Sequence, residues 1–495
     1  MNRQVTRLAV ASMLLLAALI VATTYWQVWA PAGLAARQDN AIKRVAQFTI
    51  RRGPIYAADG KTVLASNVVR RIKGKTFYFR RYPQGPLAPH IVGYSTQSRS
   101  RAGLERSEND YLIASNKQLK TVLETTIDKL KGATIKGNTL ELTLSRRAQQ
   151  RATELLQGHC GAAVALDPST GKVLAMASAP TYDPNLIERR FGEIEKIEGP
   201  CQPSAPLLNR ATSGLYTPGS TFKIVTAAAA LDSGVFEADS EFDDPGYCIE
   251  YGKKVTNFSD QDGPEVFGHV NFTEAMQHSI NAVFCEIGKK LGALRLIEYA
   301  KRFGFYSVPF LETPTNERAP SGLYNGTQLF RPKDNFQVDP GRFAFGQERL
   351  LVTPLQMAMV TAAIANDGIL MRPYVVSRVV APDRKEVTRT KPQDLGRAIG
   401  SQTAATLTSM MEAVVQGGTG TSAQIEGVRV AGKTGTAETG ASDRNTTWFV
   451  CFAPADRPRV AVAVVLENQE GTGGATAAPI AKELMQAILF ETSKS

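Results

Sequence analysis

From Leu8 to Ala30 the chain (LAVASMLLLAALIVATTYWQVWA) carries no charge and no polar stripe, which predicts a helix apolar on every side. At about 1.5 Å per residue these positions span about 35 Å, more than a hydrocarbon layer of about 30 Å. Beyond it the pattern turns strand-like. In RRIKGKTFYFRRYPQG, Phe77 and Phe79 alternate with more polar neighbours, and NTLELTLSRRAQQRATELLQG reads as a strand entering a helix that Ser145 caps. From about residue 155, GAAVALDPSTGKVLAMASAP gives two β-rich runs around Asp-Pro-Ser-Thr-Gly, a hairpin. TTWFVCFAP and PRVAVAVVLEN give two further strands around Ala-Asp-Arg-Pro. TPLQMAMVTAAIANDG is a helix with Thr353 as its cap, Pro354 at its first position and Gly368 past its end. APIAKELMQAILFE is a closing amphipathic helix with Pro479 near its first turn. An early hairpin, a helical middle, late strands and a last helix predict an α+β chain whose antiparallel sheet is covered by helices.

Length and charge refine this order. With 495 residues, 43% of them hydrophobic, two or more folded units are expected. The divisions fall at a cytoplasmic tail (1–7), a membrane anchor (8–30), a β-rich first unit (31–150) and a second unit (151–495). Arg3 and Arg7 ahead of the span predict a cytoplasmic N-terminus and an extracytoplasmic bulk, and Tyr25, Trp26 and Trp29 suit the far interface. A cleaved signal peptide is the alternative, but its apolar region would be shorter and TTYWQVW is a poor cleavage site. The net charge of +11 fits nucleic acid, anionic lipid or an anionic polymer as neighbour. No zinc-finger spacing or RNA-binding aromatic signature accompanies it, so nucleic acid is disfavoured. Four histidines without ligand spacing and no Cys-x-x-Cys predict neither metal nor cofactor. Cys160, Cys201, Cys248, Cys285 and Cys451 allow at most two bridges, and spacing does not choose the pairs.

The chemistry starts at LYTPGSTFKIVTAAAALDSG. If STFKIVTAAAAL is helical, Ser220 and Lys223 share a face, so hydroxyl and amine can meet. The small and apolar residues that follow predict burial, which pushes the lysine pKa down and turns it into a base for serine. Taken alone, Ser-x-x-Lys fits an ordinary helix start with a solvated lysine. MQHSINAVFC adds Ser279 and Asn281, and RVAGKTGTAE adds Lys433, Thr434, Gly435 and Thr436 on an expected strand. Gly435 would let a substrate approach the strand backbone, while Lys433 and the threonine hydroxyls could hold a carboxylate. The three segments in this order form a strong signal.

This constellation resembles the penicillin-recognising serine acyltransferases, the penicillin-binding proteins and serine β-lactamases. RRGPIYAADGKTVLAS (51–66) is similar to the opening segment of class B penicillin-binding proteins, with Ala57 and Ala58 replacing its usual Asp-Arg. AGLERSENDYL keeps the family's Gly-Leu-Glu, LNRATSGLYTPGSTFK resembles its nucleophile entry, and GQERLLVTPLQMA carries Glu348 where a small residue is commoner. The resemblance spans residues 40 to 490 and looks closest to short, actinobacterial-type class B members.

It implies an elongated pedestal domain, a transpeptidase domain with an all-helical subdomain, and D,D-transpeptidase activity on peptidoglycan stem peptides ending in D-Ala-D-Ala. It also implies covalent inhibition by β-lactams. Ser220 would be the nucleophile, Lys223 the general base, Ser279 a proton relay tuned by Lys433, and Asn281 an orienting amide. Backbone N–H groups of Ser220 and Thr436 would form the oxyanion hole, and Thr434 and Thr436 would bind the terminal carboxylate. Expected partners beyond the stem peptides and the membrane are a membrane glycosyltransferase and other cell-wall or divisome proteins. The alternatives are a D,D-carboxypeptidase and, further off, a β-lactamase, for which Glu312 and Asn316 in LETPTNERAP offer a Glu-to-Asn spacing. Seven residues before the span leave no room for the output domain of a sensor, and the first unit lacks a glycosyltransferase signature.

Overall fold

Asp167 reverses the chain at the first long hairpin. Its carboxylate accepts from the Ser169 backbone N–H and from the Ser169 and Thr170 hydroxyls, so Gly161–Leu166 folds back against Val173–Ala179. This is seen in a computed structural model that describes residues 2–25, 47–115, 134–258, 265–438 and 444–490. The hairpin forms one edge of a five-stranded antiparallel sheet. Val460–Gln469 and Asn445–Ala453 follow, and Ala431–Glu438 is the opposite edge.

Both faces of the sheet are covered. Along one strand, Val462, Val464 and Leu466 pack with Leu484 and Met485 of the C-terminal helix, while Ala461, Ala463 and Val465 face the helical middle. A strand buried on both sides reads as a continuous apolar run, which is why PRVAVAVVLEN shows no alternation. Each buried valine or leucine here contributes about 1.5–3 kcal/mol. Thr353 caps Pro354–Ala365 as expected, its hydroxyl accepting from Gln356 N–H, and Ser145 caps Arg146–Leu155 the same way. The helical middle also holds Lys223–Asp232, Asn281–Leu291, Ala293–Arg302 and Ser401–Gly417.

The last helix departs from the reading above. It begins at Gly473 rather than close to Pro479, which sits in its interior. Gly473 and Gly474 extend it because only they fit: a Cβ on Gly473 would lie 2.2 Å from Trp448 O, and one on Gly474 2.3 Å from Thr419 O. Packing of this first turn onto the sheet outweighs the cost of an interior proline, about 3 kcal/mol.

A second, six-stranded sheet holds Ile55–Tyr56, Val63–Ile72, Lys75–Arg81 and Thr139–Leu142. It also recruits Val376–Val380 and Glu386–Arg389 from the later half of the chain, and Arg378 meets Glu141 across the strands at 2.7 and 3.1 Å. Under this sheet Glu105 is fully buried between Arg52 and Arg80, at 2.6 and 2.5 Å. The cysteines form Cys160–Cys201 and Cys248–Cys285, leaving Cys451 as a buried thiol. At the N-terminus Asn2–Thr24 is one helix, long and apolar enough to cross a membrane; it includes the positions expected as a tail. Trp26 and Trp29 lie outside the described residues.

Candidate active site

Ser220 lies in a tight 3₁₀ turn, Gly219–Phe222, that runs straight into Lys223–Asp232. Two close approaches set that turn. Gly219 has φ +52°, and its N–H donates to Gly346 O at 3.1 Å. A Cβ on Gly435 would lie 2.8 Å from both Pro218 O and Thr221 Cγ2. What crowds Gly435 is therefore the serine turn itself, docked on the edge strand. Trp448 Nε1 donates to Thr217 O at 3.0 Å and fixes the turn from the neighbouring strand.

Lys223 is wholly buried. Its Nζ donates to Ser279 O at 2.6 Å and Asn281 Oδ1 at 2.8 Å, and lies 3.2 Å from Ser279 Oγ. Burial, followed by the nearby Lys433, drives its pKa well below the ordinary lysine value. A neutral amine has two N–H groups and one lone pair. The carbonyl and the amide oxygen take both N–H groups, which leaves the lone pair for a hydroxyl. Among the described residues Ser220 Oγ makes no hydrogen bond to Lys223, so the direct contact read from the three-residue spacing is not formed in this state.

Ser279 has φ +59°, a conformation unusual for a serine, at the joint between helices Phe272–Gln277 and Asn281–Leu291. Such strain costs about 1–3 kcal/mol and marks functional positions. Here it turns the Ser279 carbonyl and hydroxyl onto Lys223 together. On its other side Ser279 Oγ accepts from Lys433 Nζ at 2.8 Å. Lys433 stands on the edge strand, fully buried, and burial lowers its pKa to about 7. Lys433, Ser279 and Lys223 thus form one continuous chain of proton-carrying groups.

This chain underlies a cavity of about 570 Å³ lined by Ser220, Ser279, Asn281, Thr434, Gly435 and Thr436. All eight residues singled out in the sequence therefore meet at or beneath one cleft. Others there carry no legible signal. Thr419 shares a 2.6 Å hydrogen bond with Thr434, Gly473 N–H donates to Thr436 Oγ1 at 3.2 Å, and Asn281 Nδ2 donates to Thr256 O at 3.0 Å. Glu312, the one candidate for activating a hydrolytic water, lies elsewhere. Its carboxylate accepts from Val375 N–H at 2.8 Å, and Asn316 meets Arg106 at 3.3 Å.

Residues 161–486 match the penicillin binding protein transpeptidase domain, and residues 52–140 match the penicillin binding protein A dimerisation domain. The chain belongs to the penicillin-binding protein transpeptidase family. Peptidoglycan D,D-transpeptidase PbpA of Mycolicibacterium smegmatis is 36% identical over 100% of both chains, and PbpA of Mycobacterium tuberculosis is 34% identical over 99% of each. The fold agrees with the penicillin-binding protein A of M. tuberculosis solved as its ceftriaxone acyl-enzyme complex. That match has TM-score 0.79 and 33% identity, over 90% of this chain and 100% of that one. The D,D-transpeptidase domain of a peptidoglycan glycosyltransferase from Eggerthella lenta gives TM-score 0.75 and 34% identity, over 89% and 98%. This penicillin-binding protein thus shares with its relatives the transpeptidase and dimerisation domains and their fold.

Proposed function

We propose that this protein is a serine D,D-transpeptidase that cross-links peptidoglycan stem peptides and is acylated by β-lactams. The observation that carries the reading is the buried Lys223–Ser279–Lys433 chain ending beside the Ser220 turn. Ser220 Oγ attacks the carbonyl between the two terminal D-alanines and gives its proton to the lone pair of Lys223. The Oγ–C bond forms, and the C–N bond breaks as Ser279, resupplied by Lys433, passes a proton to the leaving amine. Asn281 holds Lys223 and the substrate amide. The Ser220 and Thr436 N–H groups stabilise the oxyanion, a contribution of about 3–4 kcal/mol per donor. Thr434 and Thr436 receive the terminal carboxylate, helped by Lys433. The amine of a second stem peptide then attacks the ester and passes its proton through Ser279 back to Lys433, while Lys223 returns its proton to Ser220 Oγ. The new C–N bond forms the cross-link, the Oγ–C bond breaks and Ser220 is freed.

The division into a tail (1–7), an anchor (8–30), a pedestal (31–150) and a catalytic unit (151–495) is part of the same reading. The N-terminus faces the cytoplasm and the cleft lies outside. Arginines ahead of the apolar helix support this, as do two disulfides suited to an oxidising compartment. The pedestal is the surface for a membrane glycosyltransferase or other cell-wall proteins. Incubation with a labelled pentapeptide and an amine acceptor tests the reaction. It should release D-alanine in step with acceptor incorporation, and Ser220→Ala should do neither. Release without incorporation would make the protein a carboxypeptidase.

A further inference from the structure

One wall of the cleft is a strand, Lys253–Thr256, continued by Asn257 and Phe258. Among the described residues it pairs only with Tyr247–Glu250, in a two-stranded sheet separate from the larger ones. An isolated hairpin is marginal in water, so its position depends on what ties it down. Several ties run to a single helix, Asn281–Leu291, among them a 3.4 Å hydrogen bond from Lys289 Nζ to Ile249 O. Asn281 Nδ2 donates to Thr256 O at 3.0 Å, Ala282 N–H donates to Asn257 Oδ1 at 2.9 Å, and Cys285 is bonded to Cys248. Cys285 lies one turn after Asn281 on the same face of that helix. Across the hairpin Cys248 pairs with Val255, directly beside Thr256. The covalent tie thus acts one residue from the carbonyl that holds the Asn281 amide.

Resting on the reading that Asn281 orients Lys223, we propose that the Cys248–Cys285 disulfide is a positioning element of the active site, clamping the cleft wall onto the helix that presents Asn281. Neither cysteine lines the cavity. With Thr256 O in place, Asn281 Nδ2 is engaged and Oδ1 must face Lys223, so the amide cannot flip. Without the clamp, the wall moves, the amide loses its partner, and water reaches the Lys223 pocket. Lys223 faces Lys433, Ser279, Asn281 and the Phe284 ring at 5.1 Å, and Lys433 is the charged group among them. Hydrating that pocket favours the ammonium, so Lys223 becomes a base only at higher pH.

The test measures acylation by a chromogenic cephalosporin across pH, using the full-length protein in detergent. Cys248→Ser/Cys285→Ser is compared with Cys160→Ser/Cys201→Ser. The two lost bridges close loops of similar length, 37 and 41 residues, so the loss of chain constraint is matched. The first variant should acylate about ten- to a hundredfold more slowly near neutrality, as small displacements of catalytic groups do, with its acid limb moved to higher pH. The second should keep the wild-type limb. Cys248→Ala/Cys285→Ala, which keeps the site apolar, should behave like the first. Wild-type rates and limb in the folded variants overturn the clamp, and so does failure of both to fold, since the bridge would then only stabilise the fold. Ser220→Ala in each background keeps the two claims apart. Residual acylation there indicts the assignment of the serine, not the clamp.

Discussion

Lys433→Met tests the electrical logic of the cleft, because it removes a charge and a donor while leaving a long side chain in the buried slot. Both amines reach Ser279 Oγ, at 3.2 and 2.8 Å, so their nitrogens lie no more than about 6 Å apart, where unit charges repel by about 3 kcal/mol at an effective dielectric of about 20. That energy corresponds to about two pK units. The repulsion acts while Lys433 holds its proton, below about pH 7. Removing it lets Lys223 keep its own proton more readily, so the acid limb of acylation moves to higher pH by about one to two units. On the acid side of both limbs the rate falls about 10- to 100-fold for that reason alone. Above neutrality the deficit narrows to the loss of the relay donor and of carboxylate binding. Stopped-flow acylation by a chromogenic cephalosporin between pH 5 and 9 separates these effects. An acid limb that stays in place, or moves to lower pH, refutes the claim that Lys433 helps to keep Lys223 neutral.

Two further substitutions probe separate parts of the account. Glu312→Gln, remote from the cleft, should leave the lifetime of the penicilloyl-enzyme unchanged, as followed by loss of bound label; a large prolongation would revive a hydrolase. Glu105→Gln strands two buried guanidiniums and should cost about 3–5 kcal/mol of stability, read in denaturant melts, with acylation retained while the protein is folded. Burial by itself would raise the Glu105 carboxyl, but Arg80 and Arg52 outweigh it and hold the pKa below the usual value. Glu105 therefore stabilises the wild type above the ordinary carboxylate range and loses that effect as pH falls through the lowered value. The variant should lack this part of the acid sensitivity.

How much of this was legible in the sequence depended on whether the signal was local. The Asp167 turn, the Ser145 and Thr353 caps and the two-sided strands follow from short-range chemistry. The recruitment of 376–389 into the pedestal sheet does not, because pairing with Thr139–Leu142 joins segments more than two hundred residues apart. Pro479 misled for the opposite reason. Its local rule is sound, but the glycines that seat the helix six residues earlier answer to Trp448 and Thr419, which no window around them contains. At the site, the three motifs picked out side chains that the fold brings to one cleft. They could not show that Lys223 would bond to Ser279 and Asn281 rather than Ser220, nor that the crowding at Gly435 comes from the serine turn.

The central claim is that Ser220 is the nucleophile of this cleft, and peptide mapping after benzylpenicillin tests it most directly. Cleavage after Arg210 and Lys223 yields ATSGLYTPGSTFK, whose five hydroxyl residues besides Tyr216 include Ser213 and Ser220. Fragmentation should place one intact penicilloyl group on Ser220 and leave the Ser220→Ala protein unmodified. A penicilloyl group on any other residue, or undiminished labelling of that variant, would contradict the account.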